Sequence, residues 1–283
     1  MSIVTPQLIK KLRERTGVGM VKCKAALDEA NGDLEKAIEN LRKAGMASAV
    51  KKEGREANEG LIGIAQTDGC VALVEVNSET DFVAQNEKFK TFIHQLATEA
   101  AEMQPQSLDE FLGLMCKHDP SITIDEYRAL IVQSLGENIQ IKRVEILPKD
   151  GSSSIGVYSH MGGRIVTAVE LKGSANAESL AREIAMHIAA EAPEYLKSED
   201  VPAEIKEREK EIARSQVKNK PENIIDKIIE GKMKAFFDQV CLSGQKFVKD
   251  PSITIQQLME KESKASGESL SIERFLRWQV GAK

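Results

Sequence analysis

The segment NSETDFVAQNEKF, Asn77 to Phe89, sets a carboxylate and an aromatic ring side by side at Asp81 and Phe82. They follow the strand-like run CVALVEV, Cys70 to Val76, and precede a helical pattern carrying Phe89, Phe92, Ile93 and Leu96. Two uses fit such a pair. Thr80 or Asp81 can cap the helix while Phe82 anchors it, or the pair can reach outward to a partner. Bond-making chemistry has little to draw on elsewhere. His94, His118, His160 and His187 fall in four separate segments, and no HExxH, GxSxG, P-loop or GxGxxG pattern occurs. The carboxylates lie mostly on helical faces and nominate no catalytic pair. Cys23, Cys70, Cys116 and Cys241 contain no CxxC spacing, which fits neither a disulfide framework nor a zinc site. A non-catalytic binding protein without cofactor or metal is the expectation.

Charge narrows the partner. Residues 1–55 carry 12 Lys/Arg against 7 Asp/Glu, so a head of +5 sits on a body of -10 within a chain of net charge -5. The head can steer an acidic partner or be simply a solvated helical face, and the body argues against wrapping nucleic acid. With one tryptophan and 4% aromatic residues, stacking platforms for single strands are poorly supplied as well. The N-terminus lacks the apolar core of a signal peptide, and no apolar run approaches the roughly 20 residues of a membrane span. A cytoplasmic setting is expected.

The elements that must position Asp81 and Phe82 are legible. Three helices are predicted in the first 45 residues. Thr5 and Pro6 open the first, the second stops at Asn31-Gly32, and Asp33 opens a third through Leu34, Ala37, Ile38 and Leu41. KKEGREANEG, Lys51 to Gly60, reads as a linker. Beyond it lies an internal repeat: DPSITI recurs at Asp119 and Asp250, and SLGENIQIKR from Ser134 lies over ASGESLSIER from Ala265 at the same offset. Thr123 with Glu126, and Thr254 with Gln257, have capping-box spacing, so each DPSITI should open a helix. Upstream, Gly60 to Val76 and Ser154 to Leu171 each read as a β-hairpin, followed by a helix. Third strands are expected at Ile139 to Leu147 and Leu270 to Val280. The result is an α+β fold, two three-stranded antiparallel sheets each covered by helices.

The second copy is interrupted by a charged helical pair broken at KNKP, Lys218 to Pro221, which predicts an inserted antiparallel hairpin. Its apolar positions include Ile205, Ile212, Ile224, Ile225, Ile228 and Ile229. They either fold on themselves or are covered by a partner or a second copy, the latter giving a homodimer in a 2:2 complex. The expected division is therefore 1–55 as a three-helix module, 56–148 as the first core half, 149–197 with 241–283 as the second, and 198–240 as the hairpin.

The repeat also acts as an internal control on the Asp-Phe pair. Glu75 aligns with Glu170 in the strands, and Leu96 with Ile188 in the helices, so the first copy's corner is three residues longer. Thr80-Asp81-Phe82 falls in that extra length, where the second copy turns with KGSANAE and no aromatic ring. The fold itself does not demand the pair.

In order along the chain, LRERTGVGMVKCKAALDEANGDLEKAIENLRKAG, EVNSETDFVAQNEKF, GENIQIKRV, YSHMGGRI and AMHIAAEAPEYL resemble the successive motifs of the bacterial elongation factor Ts family. The resemblance implies a module like a ubiquitin-associated domain, a two-part core and a protruding coiled-coil hairpin. It also implies guanine nucleotide exchange on elongation factor Tu, in its GDP-bound and nucleotide-free states. By the same resemblance Thr80, Asp81, Phe82 and Val83 form the segment that intrudes beside the Mg2+ site of that partner. Arg13, Met20, Gly136, Glu137 and His160 match further segments at or near the partner surface, though each also has a purely local reading as turn, core or hairpin residue. Some members of the family continue into a C-terminal helix, and the ending RFLRWQVGAK leads us to expect that contact to be absent. A different class stands as the alternative, a helical adaptor that binds peptides or the ribosome without exchange activity. A hydrolase using scattered His, Asp and Cys residues is a distant third.

Overall fold

The computed structural model describes residues 4–217 and 222–282. The chain divides into two compact units. The first takes in the chain up to Pro148 with Met161–Ile165 and the segment from Gln279, and the second takes in Lys149–His160 and Val166–Trp278.

Local chemistry sets the start of the first unit. Thr5 accepts a hydrogen bond from the Leu8 amide and opens α1 (Pro6–Thr16), which Gly17 ends at φ 64°. After α2 (Met20–Glu29), Asp33 caps α3 (Leu34–Lys52) through the Lys36 amide. Helix α3 runs through Lys51 and Lys52, where the sequence reads as a linker. Packing explains the extension: a Cβ on Gly45 would stand 3.3 Å from the Ala129 carbonyl oxygen, and Arg42 donates to both carboxylate oxygens of Glu126 at 2.8 Å. The middle of α3 is thus held against α7 by tertiary contact, which overrides weak local preference.

The strands β1 (Glu59–Gln66) and β2 (Cys70–Ser78) pair antiparallel, with Leu61 opposite Val76. One turn of helix, α4 (Asp81–Ala84), precedes α5 (Glu87–Met103), then α6 (Leu108–Gly113), α7 (Ile124–Leu135) and β3 (Gln140–Pro148). Strand β2 is central and buried throughout, and β3 pairs antiparallel along its other side. Helix α5 buries Phe89, Phe92, Ile93 and Leu96. It approaches so closely that a Cβ on Gly63 would lie 2.5 Å from Ile93 Cγ2. The core of this unit joins Leu12, Leu27 and Leu41 of the three-helix module to these aromatic residues.

Apart from the end residues Ile165 and Gln279, the second unit holds β4 (Ser153–His160), β5 (Ile165–Lys172), α8 (Glu178–Glu191), α9 (Ala203–Ser215), α10 (Glu222–Val240), β6 (Lys246–Phe247), β7 (Asp250–Thr254), α11 (Ile255–Ser266) and β8 (Ser271–Gln279). Its main sheet has the order β4-β5-β8, and Val169, Leu171, Ile184, Ile188, Phe247 and Leu258 share its core. Helices α9 and α10 pack against each other with Ala213 and Ile229 buried, while Ile212 and Ile224 remain exposed. The turn expected at Lys218 to Pro221 lies outside the described residues.

The repeat is reproduced in its hydrogen bonds. Asp119 accepts from the Ser121 hydroxyl at 2.6 Å, as Asp250 does from Ser252 at 2.5 Å, and full capping boxes at Thr123 and Thr254 follow. Gly136 and Gly267 both end their helices in the left-handed region, at φ 85° and 73°. Glu75 binds Arg143 at 2.7 Å, and Glu170 binds Arg274 at 2.8 Å. The four cysteines are buried and unpaired. For Cys116, burial, reinforced by Glu99, pushes the thiol up to about 12.

His187 is sealed inside the second unit. Its Nδ1 accepts from the Val248 amide at 3.2 Å, which leaves Nε2 to donate to Gln245 Oε1 at 3.0 Å. Burial holds the imidazole below its ordinary value, outweighing the Gln245 hydrogen bond. Above about pH 6.5 the ring is neutral folded or unfolded; below it the unfolded chain takes up the proton first, so stability falls until the folded ring titrates. The urea midpoint is expected to drop as the pH falls below about 6.5. His187→Gln, which keeps an acceptor and a donor, should flatten that part of the profile; an unchanged slope would exclude His187 as its source.

Candidate partner-binding site

The corner between β2 and α5 is built from short polar links. Eight residues, 79–86, cross it, against five, 173–177, at the matching corner between β5 and α8. Thr80 is the N-cap of α4: its Oγ1 accepts from the Val83 amide at 3.3 Å, and Asn86 then caps α5 through the Lys88 amide at 2.9 Å. Two successive caps turn the chain and leave one helical turn between them. On that turn Ala84 is buried and Val83 half-buried against the core, while Asp81 and Phe82 face solvent. Phe82 is 84% exposed, which is unusual for a ring of its size.

The base of the corner is tied on two sides. The Thr80 amide donates to Glu137 Oε2 at 3.1 Å and its hydroxyl to Glu137 Oε1 at 2.6 Å. In return Glu79 Oε1 accepts from the Asn138 amide at 2.6 Å and from Arg55 at 3.4 Å. The left-handed turn at Gly136 delivers Glu137 to this position. Gly136 and Glu137 therefore stand at the foot of the Asp81-Phe82 corner.

Arg13 and Met20 lie in the same unit. With Ile9, Val21, Lys10 and Lys24 they line a groove between α1 and α2, where Val21 is 85% and Met20 60% exposed. An apolar surface framed by three cations suits an acidic partner with an apolar centre. Lys88, at the start of α5, donates to the Gly17 carbonyl and to the Ser134 hydroxyl. It thereby joins the end of α1 to the corner; burial, with Arg13 nearby, lowers its pKa. Lys22 adds a bond to the Gln133 carbonyl at 2.8 Å.

His160 belongs to the second unit. It ends β4, exposed, with its ring stacked on Tyr158 at 6.0 Å, beside a concavity lined by Met186, Ala189 and Val248. Among the described residues no group of three or more His, Cys, Asp or Glu is arranged to hold a metal ion, and no helix is long and apolar enough to cross a membrane. The sequence placed Glu137 at or near the partner surface, through the family resemblance alone, and gave no sign of its bond to Thr80 or of Glu79, Asn138 and Arg55. Thr80 and Glu137 are 57 positions apart, and no local spacing signals their meeting.

These features define an α+β protein in which Thr80 to Val83 meet Gly136 and Glu137 at one corner of the first unit, Arg13 and Met20 line a groove of the same unit, and His160 lies in the second. Residues 79–282 match the family model described as Elongation factor TS. The chain is 58% identical over 281 residues to the elongation factor Ts of Protochlamydia amoebophila (strain UWE25), spanning 99% of this chain and 100% of that one. It is 49% identical to that of Chlamydia caviae and 46% identical to that of Chlamydia trachomatis serovar L2, each over 282 residues and the full length of both chains. The chain belongs to the elongation factor Ts family, and with it to the elongation factors of protein biosynthesis.

Proposed function

We propose that the chain is a guanine nucleotide exchange factor for elongation factor Tu, acting in the cytoplasm through the Thr80-Asp81-Phe82-Val83 corner. The observation that carries this reading is Phe82, 84% exposed on a turn capped by Thr80 before it and followed by the Asn86 cap of α5. A ring wedged between elements of a GTPase shifts the groups that hold its Mg2+ and waters. Loss of the ion removes the main charge neutralising the β-phosphate side, and GDP is released. The factor then binds nucleotide-free Tu more tightly than the GDP form, and by linkage the nucleotide weakens the factor in return. Proton transfer has no part in this, so the site needs no catalytic pair. The α1–α2 groove with Arg13 and Met20 supplies a second contact from the same unit, and His160 a third from the second unit.

The test is direct. Elongation factor Tu loaded with a fluorescent GDP is mixed with the protein and release is followed. Acceleration that saturates with factor concentration is expected. Unchanged release at micromolar factor would overturn the reading, and binding without acceleration would favour the adaptor.

A further inference from the structure

We infer that Glu137 is a positioning residue for Phe82: its carboxylate clamps Thr80 and sets the ring in its outward place before any partner arrives. The inference rests on the exchange reading above. A residue at a partner surface would be expected to turn its charge outward. Glu137 instead places both oxygens on Thr80, one on the amide and one on the hydroxyl, at 3.1 and 2.6 Å. The same hydroxyl accepts from the Val83 amide, so the carboxylate is linked through one side chain to the turn that bears Phe82. The neighbouring pair repeats the contact in the opposite sense, with the Asn138 amide on Glu79. Asn138 is fully buried and its Nδ2 donates to the carbonyls of Arg55 and Glu53, which ties the foot of the corner to the end of α3.

The duplicated half supplies the control. Glu268 occupies the position matching Glu137, directly after the matching left-handed glycine, Gly267. There the shorter corner offers no threonine, and Glu268 is exposed. A Cβ on Gly173 at that corner would lie 2.0 Å from the Ser269 carbonyl oxygen, so backbone packing closes it instead. The carboxylate clamp accompanies the copy that carries the Asp-Phe pair. Charge-assisted hydrogen bonds to an amide and a hydroxyl are strong enough to keep such a turn in one conformation. A turn that is competent only part of the time would lower the apparent affinity by that fraction.

Two measurements test the inference. In the free protein, Glu137→Gln presents an NH2 group to one of the two Thr80 donors, and the Thr80 amide is expected to exchange its hydrogen about tenfold faster. Unaltered protection there would overturn the clamp. In the exchange assay, Glu137→Gln is expected to lower kcat/KM about tenfold in the parent and by less than about twofold when Phe82 is already alanine, because the carboxylate acts through the ring. Thr80→Val, which removes the hydroxyl that both donates to Glu137 and caps the Val83 amide, should lose at least as much as Glu137→Gln. Equal fold losses with and without Phe82 would overturn the inference and make Glu137 a direct partner contact. If Phe82→Ala alone leaves exchange unchanged, the wedge reading fails and the positioning role fails with it; the amide measurement still decides the clamp, since it involves no partner.

Discussion

Phe82→Ala is expected to reduce stimulated GDP release from elongation factor Tu by about thirtyfold or more, the range of an interface anchor, while shifting thermal stability by no more than about 1 kcal/mol. The two halves of this expectation come from one number. A ring 84% exposed contributes almost nothing to the core, so its removal leaves the fold intact. Ala84 and Val83, which do face inward, remain to hold the turn, and Thr80 still caps it. Stopped-flow release and a melting curve on the same preparation check both halves. A loss of stability near that of a buried phenylalanine, about 3 kcal/mol or more, would show that the ring is a packing residue. An intact rate of release would remove it from the exchange machinery.

Arg143→Ala is expected to cost about 3–5 kcal/mol, because it strands a carboxylate on the central strand. The Glu75 side chain is 1% exposed, and Arg143 reaches its Oε2 through both Nε and Nη2 at 2.7 Å. Without the guanidinium, Glu75 keeps the Gly281 amide at 3.4 Å. The duplicated half again provides a matched comparison: Glu170, bound by Arg274, is 11% exposed, so water can reach it when its partner is cut away. Arg274→Ala is therefore expected to cost less, about 1–2 kcal/mol. Urea titrations of the two variants decide the point. Equal losses would mean that pairing itself, rather than the depth of the carboxylate, sets the cost.

Much of the fold was legible because its signals are local. Thr123 with Glu126 and Thr254 with Gln257 announced two helices by the spacing of a cap, and both caps form in full. The apolar positions of α5 lie where their period places them. The three extra residues of the first corner appear as the N-cap and first two residues of α4. What the sequence left open depends on distant partners. Helix α3 continues through Lys51 and Lys52 because α7 packs along it, and nothing near those residues announces α7. The Asp250–Thr254 copy of DPSITI becomes a strand paired with Lys246–Phe247, whereas the first copy makes a single bridge between Met115 and Thr123. Phe82 could be read from sequence either as an anchor or as a projection. The Thr80–Glu137 bond beneath it forms only once β2 and α7 are in place.

The burial of all four cysteines makes the chain its own unfolding reporter. Cys23, Cys70 and Cys116 belong to the first unit and Cys241 to the second, and none is accessible in the folded protein. A thiol reagent therefore marks only molecules that have opened. The mass of the labelled peptide then tells which unit opened, without any introduced dye.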